Sequence, residues 1–172
     1  MNEQTSSRVS EPPSTISQRI WRYGPLLLWI LFISFASTSG FSASKTSQLF
    51  RPLVLWFLPN LSEDRLETLH FLTRKLGHFT EYAVLAYLAR RAFVTSSHDF
   101  IQRKWFQLGL VLVVTYALLD EFHQRFEPTR TASIYDSVID IVGGLTILLL
   151  CKLWSNRSRR RKSRAYEHPA AR

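Results

Sequence analysis

Asp120-Glu121-Phe122-His123-Gln124-Arg125-Phe126-Glu127-Pro128-Thr129-Arg130 is the stretch whose reading decides the fold. It follows directly on an apolar run, Leu108 to Leu119, and a second run, Val138 to Leu150, begins soon after it. Each run reads as most of a membrane-crossing helix. Charge at the mouth of such a segment is ordinary. Carboxylates inside one are costly, about 2.5–3.5 kcal/mol each at mid-bilayer on insertion scales, and need a reason. The stretch therefore predicts two spans with a polar cluster near one membrane face.

The composition fits once its distribution is considered. The 172 residues allow one domain, and the 46% hydrophobic content is diluted by polar termini. Aromatic residues make up 13%, with five Trp, which suits the water–lipid boundary. A net charge of +9 would suit a nucleic-acid binder, but much of the excess lies after Cys151, beside an apolar segment. No zinc-finger spacing or aromatic-and-basic RNA-binding signature accompanies it, so no nucleic-acid partner is expected. Cys151 is the lone cysteine, which leaves no disulfide framework and no metal pair.

The expected fold class is all-α: a polytopic membrane protein with four transmembrane helices and a short interfacial helix in the first external loop. Residues 1–22 read as a disordered cytoplasmic leader, 23–154 as the transmembrane domain, and 155–172 as a basic cytoplasmic tail. The spans fall at about 23–41, 76–93, 105–126 and 134–154. The first could instead be a signal peptide cut near Ala36-Ser37-Thr38; a retained helix is preferred because the polar leader is long. Leu53 to Leu58, bracketed by Pro52 and Pro59, is too short to cross and reads as an interfacial turn of helix. Ser62-Glu63-Asp64 looks like a helix start with Ser62 as N-cap, and Ser133 to Asp136 like a capping box. Ser96 to Asp99 is a polar turn. Pro128 stops the third helix.

Positive residues orient the whole. Arg8, Arg19 and Arg22, then Arg90, Arg91, Arg103 and Lys104, then the basic tail share one side, so both termini are expected in the cytoplasm of a plasma-membrane protein. Helix direction then brings three polar sets to one level in the outer part of the membrane. Lys75, His78 and Tyr82 share a face of the second span, Tyr82 about 10 Å deeper than Lys75. Asp120, His123 and Gln124, with Glu121 at the margin, close the third span. Asp136 and Asp140 open the fourth. Four acids at one depth need partners, and Lys75, Arg125 and Arg130 are the available cations, with His78 and His123 as adjustable ones. The expectation is one hydrogen-bonded pocket open to the outer face.

Together these residues carry a resemblance. Lys75-Leu76-Gly77-His78-Phe79 with Tyr82, Asp120-Glu121-Phe122-His123-Gln124 with Phe126, Pro128 and Arg130, and Ser133, Asp136 and Gly143 resemble the VanZ-like family over roughly residues 24 to 150. The Ser-rich end of the first span, Ala36 to Gly40, is similar as well. Asp140 departs from the pattern, where Asn is common, and adds negative charge. The resemblance implies a four-helix integral membrane protein. The family is named for a protein associated with low-level teicoplanin resistance.

Bland readings stand beside the functional ones. Lys75 could snorkel to the interface, Tyr82 could be a packed aromatic with a satisfied hydroxyl, and Gly77 and Gly143-Gly144 read as helix-packing positions. Arg130 could cap the third helix, pair with Asp136 or hold a phosphate. The Asp120, Glu121, His123 and Gln124 cluster is a structural network, a head-group site or, with His78 or His123 as general base, a catalytic one. The leading expectation is a non-enzymatic envelope protein binding a lipid head group or cell-wall precursor through Lys75, His78, Tyr82, Asp120, Glu121, His123, Gln124, Arg130, Asp136 and Asp140. An intramembrane enzyme on a lipid-linked substrate is the alternative. A transporter or proton relay is a third reading, and with four spans it would require an oligomer. No cofactor or metal is expected: there is no HExxH motif and no Gly-rich phosphate loop.

Overall fold

The computed structural model describes residues 16–38, 43–126 and 134–167, with side chains described at 16–38, 45–126 and 134–158. The described residues are all-helical. The six helices are α1 (Ile16–Ala36), α2 (Ala43–Phe57), α3 (Glu63–Val94), α4 (Asp99–Arg103), α5 (Trp105–Gln124) and α6 (Ile134–Glu167). By length and composition, α5 and the Ile134–Ser158 part of α6 are apolar enough to cross a membrane. α1 opens with Arg19 and Arg22, and α3 carries Lys75, Glu81, Arg90 and Arg91. Those charges dilute the apolar character of both helices.

α3 is the central element, packed on α6, α5 and α1. Its pairs with α6 run in step: Lys75 meets Asp136, His78 meets Asp140, and the Phe79 carbonyl faces Gly143. These two helices are therefore parallel. α5 runs against α6, since Ser137 donates to the Ala117 carbonyl, Gly144 faces Val113, and Gly109 faces Leu148. α1 runs against α3, because Tyr23 bonds Ser96 at one end and the Trp29 indole donates to the Glu81 carbonyl further along. The result is an alternating four-helix arrangement, with Leu26, Ile33, Leu85, Ala86, Ala89, Val113 and Leu148 in its core.

Packing here is inverted relative to a water-soluble bundle. The exposed faces carry Leu27, Leu28, Leu31 and Phe35 on α1, Leu118, Leu119 and Phe122 on α5, and Val138, Val142, Leu149 and Leu150 on α6. The buried polar set includes Asp120, Glu121, Gln124, Asp136, Ser137 and Asp140. Water gives no reason to turn Leu118 and Leu119 outward while Asp120 and Glu121 turn inward; an apolar solvent does.

Several boundaries differ from the sequence reading. α1 begins at Ile16, so the leader is helical from there rather than irregular to Arg22, and the helix stops at Ala36. α2 covers Ala43–Phe57 with Pro52 inside it, where the prolines were expected to bracket a shorter turn. Pro52 costs α2 a backbone donor. The turns before it are held from outside: Thr46 lies 3.2 Å from the His70 imidazole, and the Phe50 ring packs on it. α3 does start after Ser62, but that side chain makes no cap bond. The polar turn at Ser96 leads into the extra helix α4. α5 ends at Gln124, and α6 continues well past Trp154. Pro128, Arg130 and Ser133 lie outside the described residues.

Candidate functional site

The polar site is built where α3, α5 and α6 meet. The i, i+3 and i+7 spacing of Lys75, His78 and Tyr82 keeps them on the α3 face turned to α6 and α5. Asp136 and Asp140, one turn apart, answer the first two. The Lys75 ammonium pairs with Asp136, and His78 Nδ1 lies 3.2 Å from Asp140 Oδ1, an ion-pair distance without hydrogen-bond alignment. Lys75 thus turns inward rather than snorkelling, with Phe71 against its ammonium at 5.1 Å. On α5, Gln124 donates to Asp120 Oδ2 at 2.9 Å, one turn back along the same buried stripe. Glu121 is buried beside them, within electrostatic reach of Asp136, Asp120, Asp140 and Arg125.

Tyr82 lies at the floor of this cluster. It is fully buried, and its hydroxyl has no hydrogen-bond partner among the described residues, although Asp120 and Asp140 are electrostatic neighbours. An unmatched buried hydroxyl costs about 1–3 kcal/mol. A packed tyrosine with a satisfied hydroxyl is therefore not what the structure holds. Next to it, Tyr116 of α5 donates to the Ile30 carbonyl at 2.9 Å and bonds Ser34, which ties α1 to α5 at this level.

The described residues of the polar set lie around two clefts. Asp136, Glu121 and Gln124 sit between helices, and two clefts flank them. One, of about 250 Å³, is lined by Ser34, Tyr116, Leu119, Asp120 and His123. His123 reaches the site only here and is otherwise exposed. The other, of about 310 Å³, lies between α1, α2 and α3 and is lined by Phe32, Ala36, Ser37, Thr46, Arg74, Gly77, His78 and Glu81. Arg130 falls outside the described residues.

Sequence reasoning missed Ser34, Tyr116, Ser137 and Arg74. Single hydroxyls in apolar runs give no periodic signal, and Arg74 stands outside the i, i+3, i+7 set of Lys75, His78 and Tyr82. The two glycine positions also separate. A Cβ at Gly143 would collide with the Phe79 carbonyl oxygen, so its bareness brings α6 against the α3 backbone. A Cβ at Gly77 would meet nothing within 4 Å, so this glycine faces open space and is not a packing position.

Among the described residues no three His, Cys, Asp or Glu side chains are placed to hold a metal ion. The arrangement can pair charges, exchange protons between His78 and Asp140, and offer polar atoms to a ligand entering from either cleft. No curated protein and no solved structure matches the chain. The family model described as VanZ/LLP1 matches residues 20–155, which takes in α3 and α5 whole, most of α1 and α6, and every residue of the polar cluster, and the chain belongs to that family.

Proposed function

We propose that this is a four-span protein of the plasma membrane, both termini cytoplasmic, whose polar cluster binds a polar or anionic head group at the outer face. The observation that carries the reading is the buried cluster itself: Asp120, Glu121, Asp136 and Asp140 enclosed by helices with apolar exteriors. Such a group of acids is costly in a membrane even when partly paired, and an intramembrane ionisable group of this kind points to a function that retains it. The alternating directions of α1, α3, α5 and α6 support four passes, with α1 retained through Leu26 and Ile33 in the core. Arg19, Arg22, Arg90, Arg91, Arg103 and Lys104 gather at the end opposite the cluster, which favours that end as cytoplasmic.

The test uses the full-length protein with Asp120→Ala, His123→Ala and Arg130→Ala. Each variant is expected to remain in the membrane at wild-type abundance and to lose the envelope phenotype, with teicoplanin tolerance the first to measure. Variants that disappear from the membrane would instead make the cluster a structural network. One observation favours a second reading, an intramembrane acid–base enzyme. His78 contacts Asp140 on one side and borders a cleft on the other, as a carboxylate-oriented general base does. Purified protein that turns over no lipid-linked phosphate or ester ends that reading.

A further inference from the structure

The cleft between α1, α2 and α3 differs from the rest of the site in charge and in room. The central cluster is rich in carboxylates, and its ammonium, Lys75, is already taken by Asp136. Arg74 lies on the other side of α3, lines the cleft, and forms no ion pair among the described residues. Thr46 and Ser37 add hydroxyls from α2 and α1. Gly77, one turn below Arg74, leaves the floor open. His78 borders the same space, with its Nδ1 3.2 Å from Asp140 Oδ1. Glu81 stands at the deep end, seven residues or about 10 Å from Arg74 along the helix.

Size and surroundings restrict the occupant. A cleft of about 310 Å³ is at the small end of the roughly 300–1,000 Å³ of ligand pockets; it admits a head group and not acyl chains. Chains would leave along the exterior, where Phe32, itself a lining residue, continues into the exposed Leu28, Leu31 and Phe35 of α1. Leu49, Leu53 and Trp56 form the exposed stripe of α2 next to it. A guanidinium with unused donors at the mouth selects an oxyanion, and phosphate matches its fork. The negative charge of the deeper Glu81 disfavours a second anion there.

We propose that this cleft is the binding site for a phosphate-bearing head group, with Arg74 as its anion contact and Gly77 leaving the space it fills. The proposal rests on the head-group reading above and assigns it a location and a chemical class. The phosphate sits at Arg74, the uncharged side of the head group points toward His78 and Glu81, and the cleft joins the membrane surface to the buried carboxylates through His78.

The experiment compares full-length wild type with Arg74→Gln, Arg74→Lys and Gly77→Leu in nanodiscs. Binding of labelled phosphatidylglycerol is measured against diacylglycerol, which lacks phosphate, and against inorganic phosphate in detergent. Wild type is expected to prefer phosphatidylglycerol over diacylglycerol by about tenfold or more, and Arg74→Gln and Gly77→Leu to lose most of that preference. Arg74→Lys restores part of it. Gly77→Leu keeps the wild-type unfolding temperature, because its side chain enters empty space, so its loss of binding is not a loss of fold. Inorganic phosphate binding as well as the lipid would keep the Arg74 site and make a soluble phosphate its occupant. If both cleft variants bind like wild type while Asp120→Ala does not, the cleft assignment is overturned and the head-group reading survives elsewhere in the cluster. If wild type shows no preference and binds no phosphate, both fall together.

Discussion

The two ends of the helix bundle solve the same packing problem in opposite ways. At the Ala-rich end, α3 presents Ala86, Ala89 and Ala92, while α5 and α6 present Gly109, Gly144 and Leu148. Small side chains let backbones approach, and dispersion holds the helices together. At the other end, the same three helices meet through Lys75–Asp136, His78–Asp140 and the Ser137–Ala117 bond, with the Asp120–Gln124 bond inside α5 beside them. Tyr82, between them, belongs to both: its ring packs in the apolar core and its hydroxyl lies among the acids. Close packing alone would serve stability at both ends. The polar end carries desolvation costs that an apolar core avoids, so on the proposed reading the difference separates a part of the bundle that holds it together from a part kept for binding.

The sharpest way to break this contrast is through the ion pair. Asp136→Ala leaves the Lys75 ammonium without its carboxylate in a largely enclosed place, and the expected loss is about 3–5 kcal/mol of unfolding free energy. Lys75→Met combined with Asp136→Leu removes both charges and is expected to recover most of that stability, measured by denaturant unfolding in detergent micelles. The double variant should still lose the envelope phenotype if the cluster serves function. A double variant that is as unstable as the single one would make the pair a structural requirement like the packing at the other end.

Glycines give the next largest effect. Gly143→Ala drives a methyl into the Phe79 carbonyl, and backbone cannot step aside, so α3 and α6 must separate; the expected cost is about 1–3 kcal/mol. Gly77→Ala, on the same central helix pair, meets nothing and replaces the weaker helix former, so stability is expected to stay level or rise by up to about 1 kcal/mol. Thermal unfolding of the two variants side by side measures the difference. Equal losses would mean that α3 packs on something at Gly77.

That pair of glycines also shows how far the sequence could be read. Periodicity placed the helices and their common polar level, because i, i+3 and i+7 spacing fixes a face whatever the neighbours are. It put Lys75 and His78 on the face that meets Asp136 and Asp140. It could not say which surface lies across from Gly77 or Gly143, since a glycine has no side chain to bias a pattern, and both read as packing positions. Tertiary support also escaped it. Pro52 reads as a boundary unless the docking of Thr46 and Phe50 on His70 is known. His123 shares its helical face with Asp120 and lines the same cleft beside Ser34 of α1, yet it is exposed where Asp120 is buried. Arg74 was hidden for a related reason: its meaning comes from the packing of α1 and α2 against α3, which helix periodicity does not show.

The smallest expected effect lies at the docking of α2, outside the span of α3. Burial, and then the nearby Arg74 guanidinium, hold the His70 imidazole below its ordinary value of 6.5. The folded form therefore favours neutral His70, and in the interval below 6.5 the undocked chain binds more protons than the docked one. Docking of α2 is at full strength above pH 6.5. It weakens as pH falls through 6.5 toward the lowered folded value, where the contribution is gone. Because Arg51–Glu63 also fastens α2, at 2.5 Å between exposed groups, the helix should loosen rather than leave. Amide exchange of α2 between pH 7.5 and 5, corrected for intrinsic rates, is expected to show a loss of protection of roughly threefold or less, confined to the segment before Pro52. His70→Asn removes the titration and should flatten the profile. A pH response that persists in His70→Asn would move the sensor to the polar end, where His78 and Asp140 face one another, and would make that end the more labile of the two.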